Sequence, residues 1–256
     1  YFTPRLKKID LYANRAEELQ HQVLNRLVRM AENTEWGKKY DYKSIHTYED
    51  FRNRLPIQTY EEVKPYVERL RAGEQNLLWS SEIRWFAKSS GTTNDKSKFL
   101  PVSKESLNDT HYQGGKDAVT LYLAQNPDSR FFSGQGLNLG GSHSPNLNSR
   151  HGLVGDLSAI LIQNIHPLVN CVRVPSKKIA LMSDFEKKIE AIANSAVSKN
   201  VTSLSGVPSW MLVLIKRILE KTGKESLEEI WPNLEVFFHG GVAFTPYREQ
   251  YKEVIL

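Results

Sequence analysis

Residues 87–101 read AKSSGTTNDKSKFLP, and they gather the donor types that a chain of phosphates needs. Glycine lets backbone N–H groups approach closely, serine and threonine add hydroxyl donors, and lysine adds a mobile positive charge. Ser89, Ser90, Gly91, Thr92 and Thr93, with Lys96 and Lys98 behind them, supply all three directly after the apolar-rich EIRWFA. The spacing is neither G-x-x-x-x-G-K-[ST] nor G-x-G-x-x-G, so it offers neither the P-loop nor the dinucleotide fingerprint. By composition alone the stretch reads first as a polar loop, because Ser, Thr and Gly also belong to turns.

Three further glycine-bearing segments stand where a ligand could be held. Gly206-Val207-Pro208 follows the β-branched run VTSL at 201–204, and His239-Gly240-Gly241-Val242 follows LEVFF at 234–238. Gly140-Gly141-Ser142-His143 follows a third apolar run, although GGSHSPNLNS also reads as a surface loop. Open parallel sheets bind ligands at the carboxyl ends of their strands, which is where such segments lie, while a glycine after a strand is also simply how chains turn. The seven histidines show no metal-ligand spacing, and no structural metal is assigned. Cys171, the single cysteine, sits in the run NCVRV and reads as a buried, inert thiol.

These segments need a scaffold, and the apolar spacing outlines one. Leu6, Ile9, Ala13, Ala16, Leu19, Val23, Leu27 and Met30 recur every three to four residues, which predicts one amphipathic helix over 5–31. Shorter helices are predicted around Thr47–Arg54 and Tyr60–Ala72, each opened by a threonine with acidic residues in its first turn. After residue 75 the texture changes to short apolar runs alternating with helices. VTSL, the helix PSWMLVLIKRILEKTG at 208–223 closed by Gly223, and LEVFF form a strand–helix–strand unit, which demands a parallel pair. The helix FEKKIEAIANSAVSKN, apolar at Phe185, Ile189, Ile192, Ala193 and Ala196, precedes that unit, and a last helix is predicted over Pro246–Val254. The fold class is α/β, a parallel-type sheet wrapped by helices, behind a helical segment over 1–75 and with a nucleotide-binding part over 76–256.

Composition narrows the classes. The chain has 256 residues, 40% hydrophobic and 25% charged, which suits a globular protein and excludes collagen-like or low-complexity classes. Its net charge of +5 comes from basic residues interleaved with acidic ones, so no stripe marks a nucleic-acid binder, and mild lysine excess suits an anionic small substrate. No signal peptide opens the sequence and no run of about 18 apolar residues occurs, which makes a cytoplasmic location the default and gives no membrane partner.

The order of the motifs adds to this. Ser-Ser-Gly-Thr-Thr, a polar stretch, a lysine and Phe-Leu-Pro resembles the phosphate loop of the adenylate-forming enzymes, with Asn94-Asp95 where those enzymes usually carry glycine. FAKSSGTTNDKSKFLPVS, SLSGVPSWMLVLIKRI and WPNLEVFFHGGVAFTPYREQY, in that order, resemble the auxin-responsive promoter (GH-three) family of acyl acid-amido synthetases, especially its bacterial-type members. The likeness runs from about Glu35 to the end of the sequence. It implies a ligase that uses ATP and Mg2+ to activate a small carboxylic acid as an acyl-adenylate, then passes the acyl group to an amine, usually of an amino acid. Ser89, Ser90, Gly91, Thr92 and Thr93 would wrap the phosphates and Lys98 would be the loop lysine. His239, Gly240, Gly241 and Val242 would lie beside the adenine, while Ser142, His143, Val207 and Pro208 would line the acid pocket.

Family members are about twice this length. The resemblance therefore implies that the sequence is the front half of the large amino-terminal domain, lacking a Tyr-x-x-Ser-Glu type magnesium segment and the carboxy-terminal domain, and inactive alone. The alternatives are a phenylacetate-type acyl-CoA ligase, a non-catalytic nucleotide-binding or scaffold protein, and a basic nucleic-acid binder.

Overall fold

A computed structural model describes residues 2–89 and 98–255. The chain divides into two compact units, 1–127 with 145–154, and 128–144 with 155–256.

The first unit opens with α1 (Thr3–Asn14) and α2 (Ala16–Ala31), two helices where the apolar spacing predicts one. Arg15 leaves the helical region (φ −135°, ψ 34°), although its N–H still donates to the Leu11 carbonyl, and the Asn14 side-chain amide donates to the Asp10 carbonyl at 3.1 Å. Such local side-chain bonds compete with the helix ladder. The three-to-four spacing runs on across the break, so periodicity does not register it. Thr34 caps α3 (Glu35–Lys39) by accepting from the Gly37 amide. Thr47 and Thr59 open α4 (Tyr48–Arg54) and α5 (Tyr60–Ala72) with reciprocal capping boxes to Asp50 and Glu62, as their sequences predict. Gly73, at φ +108°, stops α5. Strands β1 (Trp85–Lys88) and β2 (Phe99–Val102) pair antiparallel, with Trp85 opposite Val102 and Lys88 opposite Phe99. α6 (Gln113–Gln125) is tied back to α1 by the Arg5 guanidinium on the Asp117 carboxylate at 2.7 Å. Two apolar clusters hold this unit, one around Val28, Tyr42 and Ile45 and one around Val67, Leu70, Ile83 and Phe86.

The second unit is built on a sheet. Its elements begin with β3 (Gln135–Leu139), and β4 (Leu153–Gly155) contributes only its last residue, its first two belonging to the first unit beside β1. There follow α7 (Leu157–Asn164), α8 (Pro167–Cys171), β5 (Arg173–Val174), α9 (Lys177–Ala180) and α10 (Phe185–Ala196). The chain ends with β6 (Val201–Gly206), α11 (Pro208–Thr222), β7 (Val236–His239) and α12 (Arg248–Ile255). The sheet order is β5-β3-β6-β7 and every pairing in it is parallel. The predicted strand–helix–strand unit is therefore present as β6, α11 and β7. Leu137, Leu139, Val174 and Leu204 meet Ile189, Ile192 and Ala193 of α10, Met211, Leu214 and Ile215 of α11, and Tyr251 and Val254 of α12 in one core. This packing fixes the strand ends on which the site depends.

The single cysteine departs from the sequence reading. Cys171 is exposed and its thiol donates to the Pro167 carbonyl, because it closes the surface helix α8, on which Leu168 is 74% exposed. The apolar character around it misleads, since the buried members of NCVRV are Arg173 and Val174 of β5. Among the described residues, no helix is long and apolar enough to cross a membrane.

Candidate functional site

The base of the Ser/Thr-rich segment extends the β1–β2 pair. The Ser89 amide donates to the Lys98 carbonyl at 2.9 Å, and the Lys98 amide donates to Ser89 Oγ at 3.0 Å. Ser89 and Lys98 thus close the stem of the segment, while Ser90, Gly91, Thr92 and Thr93 lie outside the described residues. The Lys98 side chain is exposed, with Nζ 5.4 Å from the centroid of the Tyr60 ring. Tyr60, the first residue of α5, also accepts from the Phe99 amide at 2.9 Å through its hydroxyl, which anchors the start of β2.

In the second unit three of the sequence-assigned segments emerge side by side. Leu139 pairs with Gly206 and Gly206 with His239, so β3, β6 and β7 end at one level and release 140–143, 206–208 and 239–242 from the same sheet edge. Gly206 is required by crowding, because a Cβ there would stand 2.9 Å from the Leu139 carbonyl oxygen. Pro208 begins α11, where its missing N–H costs nothing, and its carbonyl accepts from the buried Tyr251 hydroxyl at 2.8 Å. Gly241 takes φ +84°, and a Cβ on it would touch Val207 at 3.2 Å, so the two loops are neighbours. The His239 ring stacks on Phe244 with centroids 4.6 Å apart, and Val242 is 44% exposed. Gly240 has open space around it.

The 140–143 segment is a built structure rather than a plain surface loop. The Gly141 amide donates to Ser158 Oγ at 2.7 Å, the Ser142 amide donates to Asp156 Oδ2 at 2.8 Å, and the Asp156 amide returns to the Ser142 carbonyl at 2.9 Å. Ser142 Oγ donates to the Met182 carbonyl at 2.7 Å, and His143 forms an isolated bridge with Gly155. From below, Lys188 of α10 places Nζ 2.8 Å from both the Gly140 and the Gly141 carbonyl oxygens and 3.4 Å from Ser142 Oγ. Burial pushes the Lys188 ammonium down to about 8, with the Asp156 carboxylate opposing that shift. Burial likewise lowers the His143 imidazole, helped by the charge of Lys188 and opposed by a backbone hydrogen bond and Asp156.

Sequence reasoning misses Lys188, Asp156 and Ser158. Lys188 does leave a signal, because it falls on the apolar stripe of α10, three residues after Phe185 and four before Ile192. A lysine on a core-facing stripe is seldom buried without a specific partner. Among the described residues, no three His, Cys, Asp or Glu side chains gather as a metal site.

The profile of the GH3 family N-terminal domain matches residues 5–256. Over 103 residues the chain is 31% identical to the indole-3-acetic acid-amido synthetase GH3.2 of Arabidopsis thaliana, a match covering 40% of this chain and 19% of that protein. It is 26% identical over 106 residues to the jasmonoyl-L-amino acid synthetase JAR4 of Nicotiana attenuata, covering 41% of this chain and 18% of that one. Among solved structures, the GH3.15 acyl acid amido synthetase superposes with a TM-score of 0.73 at 15% identity over 98% of this chain and 54% of that one. AtGH3.15 in complex with 2,4-DB gives a TM-score of 0.75 at 17% identity, over 93% of this chain and 50% of that one. The chain thus spans about half the length of these structures and shares their fold. A family profile matched along residues 5–256 decides the assignment: the chain belongs to the GH3 family.

Proposed function

We propose that this protein activates a small carboxylic acid with ATP as an acyl-adenylate and transfers the acyl group to an amine, usually that of an amino acid. The observation that supports this most is the release of 140–143, 206–208 and 239–242 from the carboxyl ends of three adjacent parallel strands in a GH3-family chain. That edge is where parallel α/β sheets hold ligands.

In this reading Ser89, Ser90, Gly91, Thr92 and Thr93 donate to the phosphates and Lys98 offsets their charge. His239, Gly240, Gly241 and Val242 take the adenine, where the His239 ring already stacks on Phe244. Ser142, His143, Val207 and Pro208 line the acid pocket. A substrate carboxylate oxygen attacks the α-phosphorus, the bond to the β-phosphate breaks, and pyrophosphate leaves. The amine nitrogen then attacks the acyl carbon, AMP leaves with the bonding pair, and the nitrogen gives up a proton. No covalent enzyme intermediate is needed, so the residues act by orienting the carboxylate and offsetting charge. Mg2+ is proposed to arrive with the nucleotide and to add positive charge at the phosphates, no ready-made ligand set for it standing among the described residues. The protein is proposed to work in the cytoplasm on these small molecules, without nucleic acid.

Carboxylate-dependent ATP–pyrophosphate exchange by the whole protein, scanned over aryl and alkyl acids, tests the reading. Exchange with at least one acid, followed by amino-acid-dependent AMP release, is expected. Nucleotide binding without exchange for any acid would overturn it in favour of a scaffold, and CoA-dependent product formation would favour an acyl-CoA ligase.

A further inference from the structure

We infer that Lys188 is a positioning residue for the acid pocket: its ammonium draws the carbonyl oxygens of Gly140 and Gly141 toward α10 and so shapes loop 140–143 to receive an anionic carboxylate. The inference rests on the proposed function, which assigns Ser142 and His143 to that pocket.

Lys188 is 2% exposed, and an ammonium has three N–H donors and no acceptor. The geometry matches that inventory with three oxygens, those of Gly140, Gly141 and Ser142 Oγ. The opposite side of the same peptide units is held as closely, by Ser158 at the Gly141 amide and by Asp156 at the Ser142 amide. Each peptide plane between 140 and 142 is therefore fixed from two directions. The glycine at 141 follows from the clamp, because a Cβ there would lie 2.1 Å from Asp156 Oδ2.

Burying an ammonium costs several kcal/mol, and an apolar side chain would fill the α10 stripe without that cost. Core packing therefore does not explain a lysine among Ile189, Ile192 and Ala193. The loop that it holds does. Without the lysine, only Ser158 and Asp156 would hold these two peptide planes, and the carbonyl oxygens at the end of β3 would lose the positive charge that offsets their negative ends near an incoming carboxylate. With it, their lone pairs point at a positive charge, and the orientation is set before any ligand arrives. The charged group that acts on the lysine is the Asp156 carboxylate, just before α7, and the lysine's own charge helps to lower the His143 ring on the loop itself.

Lys188→Met keeps the stem and removes the donors, while Lys188→Arg keeps the charge with a wider, forked head. In acid-dependent exchange by the whole protein, Lys188→Met is expected to raise the KM for the acid about tenfold or more, the scale of a misplaced binding group, with the KM for ATP within about twofold. Amide hydrogen exchange should show 140–143 opening faster in Lys188→Met while the strand β6 keeps its protection. Lys188→Arg should restore the acid KM only in part. An unchanged acid KM in an active Lys188→Met, or parallel rises in the acid and ATP values, would overturn the positioning role. Wild-type protein inactive with every acid would sink the proposed function instead, and hydrogen exchange would still decide whether Lys188 holds the loop, an unchanged 140–143 overturning the inference.

Discussion

At Gly141 a single methyl group is decisive. A Cβ would lie 2.1 Å from Asp156 Oδ2 and 2.5 Å from Asp156 Cβ, so the Asp156 hydrogen bond to the Ser142 amide must break or the loop must move. Gly141→Ala is expected to lower stability by about 1–3 kcal/mol in denaturant titration, as overpacking does. Gly240→Ala is the contrast, since nothing stands within 4 Å of its would-be Cβ, and its stability should stay within about 0.5 kcal/mol of wild type. Equal losses in the two variants would refute the assignment of the cost to the Asp156 contact. The glycines of both segments were visible in the sequence, but their different reasons were not, because crowding by Asp156, 15 residues further along, depends on tertiary placement. Lys188 was half legible: its position on the apolar stripe of α10 could be counted, whereas its carbonyl partners, more than 40 residues earlier, could not.

Elements follow local rules more closely than the site does. The Glu62 carboxylate accepts from the Thr59 amide at 2.6 Å and from the Thr59 hydroxyl at 2.7 Å, and this pair was readable as T-x-x-E before an apolar stripe. Thr59→Ala should cost about 1 kcal/mol by thermal or chemical unfolding, and Thr59→Ser should recover most of it. The cap also has a pH signature, because the Thr59 amide and hydroxyl hold the Glu62 carboxyl below its ordinary value. Its contribution is present above the ordinary carboxylate range and is lost as pH falls through the lowered value. The strand–helix–strand unit was legible for the same reason, its signals being Pro208 at the start of α11 and Gly223, at φ +66°, after its end. The break at Arg15 was not, since backbone geometry changes there while the apolar spacing does not. Cys171 misled because apolar neighbours in sequence do not make a buried environment when they sit on a surface helix.

For the whole molecule, the buried Lys188 and the half-buried His143 give stability a pH dependence with a defined sign. Lys188 titrates near 8 in the folded protein, below the ordinary lysine range of about 10.4, so between those values the unfolded chain holds a proton that the folded one has released. Stability from this group therefore rises with pH across that window. The His143 ring is likewise lowered by burial, so its contribution grows as pH rises toward its ordinary value of about 6.5 and is lost on acidification. Comparing wild type with Lys188→Met cancels the other titrating groups, which both proteins share. Wild type is expected to gain about 1–3 kcal/mol on the variant between pH 8 and 10 in denaturant titrations. Loop function should move the opposite way. Above pH 8 the amine has two protons for the three oxygens around it, so the wild-type KM for the acid should climb while the fold becomes more stable. A lysine that served the fold alone would move stability and leave the acid KM flat, and that pairing of results would refute the positioning role at the scale of the whole protein.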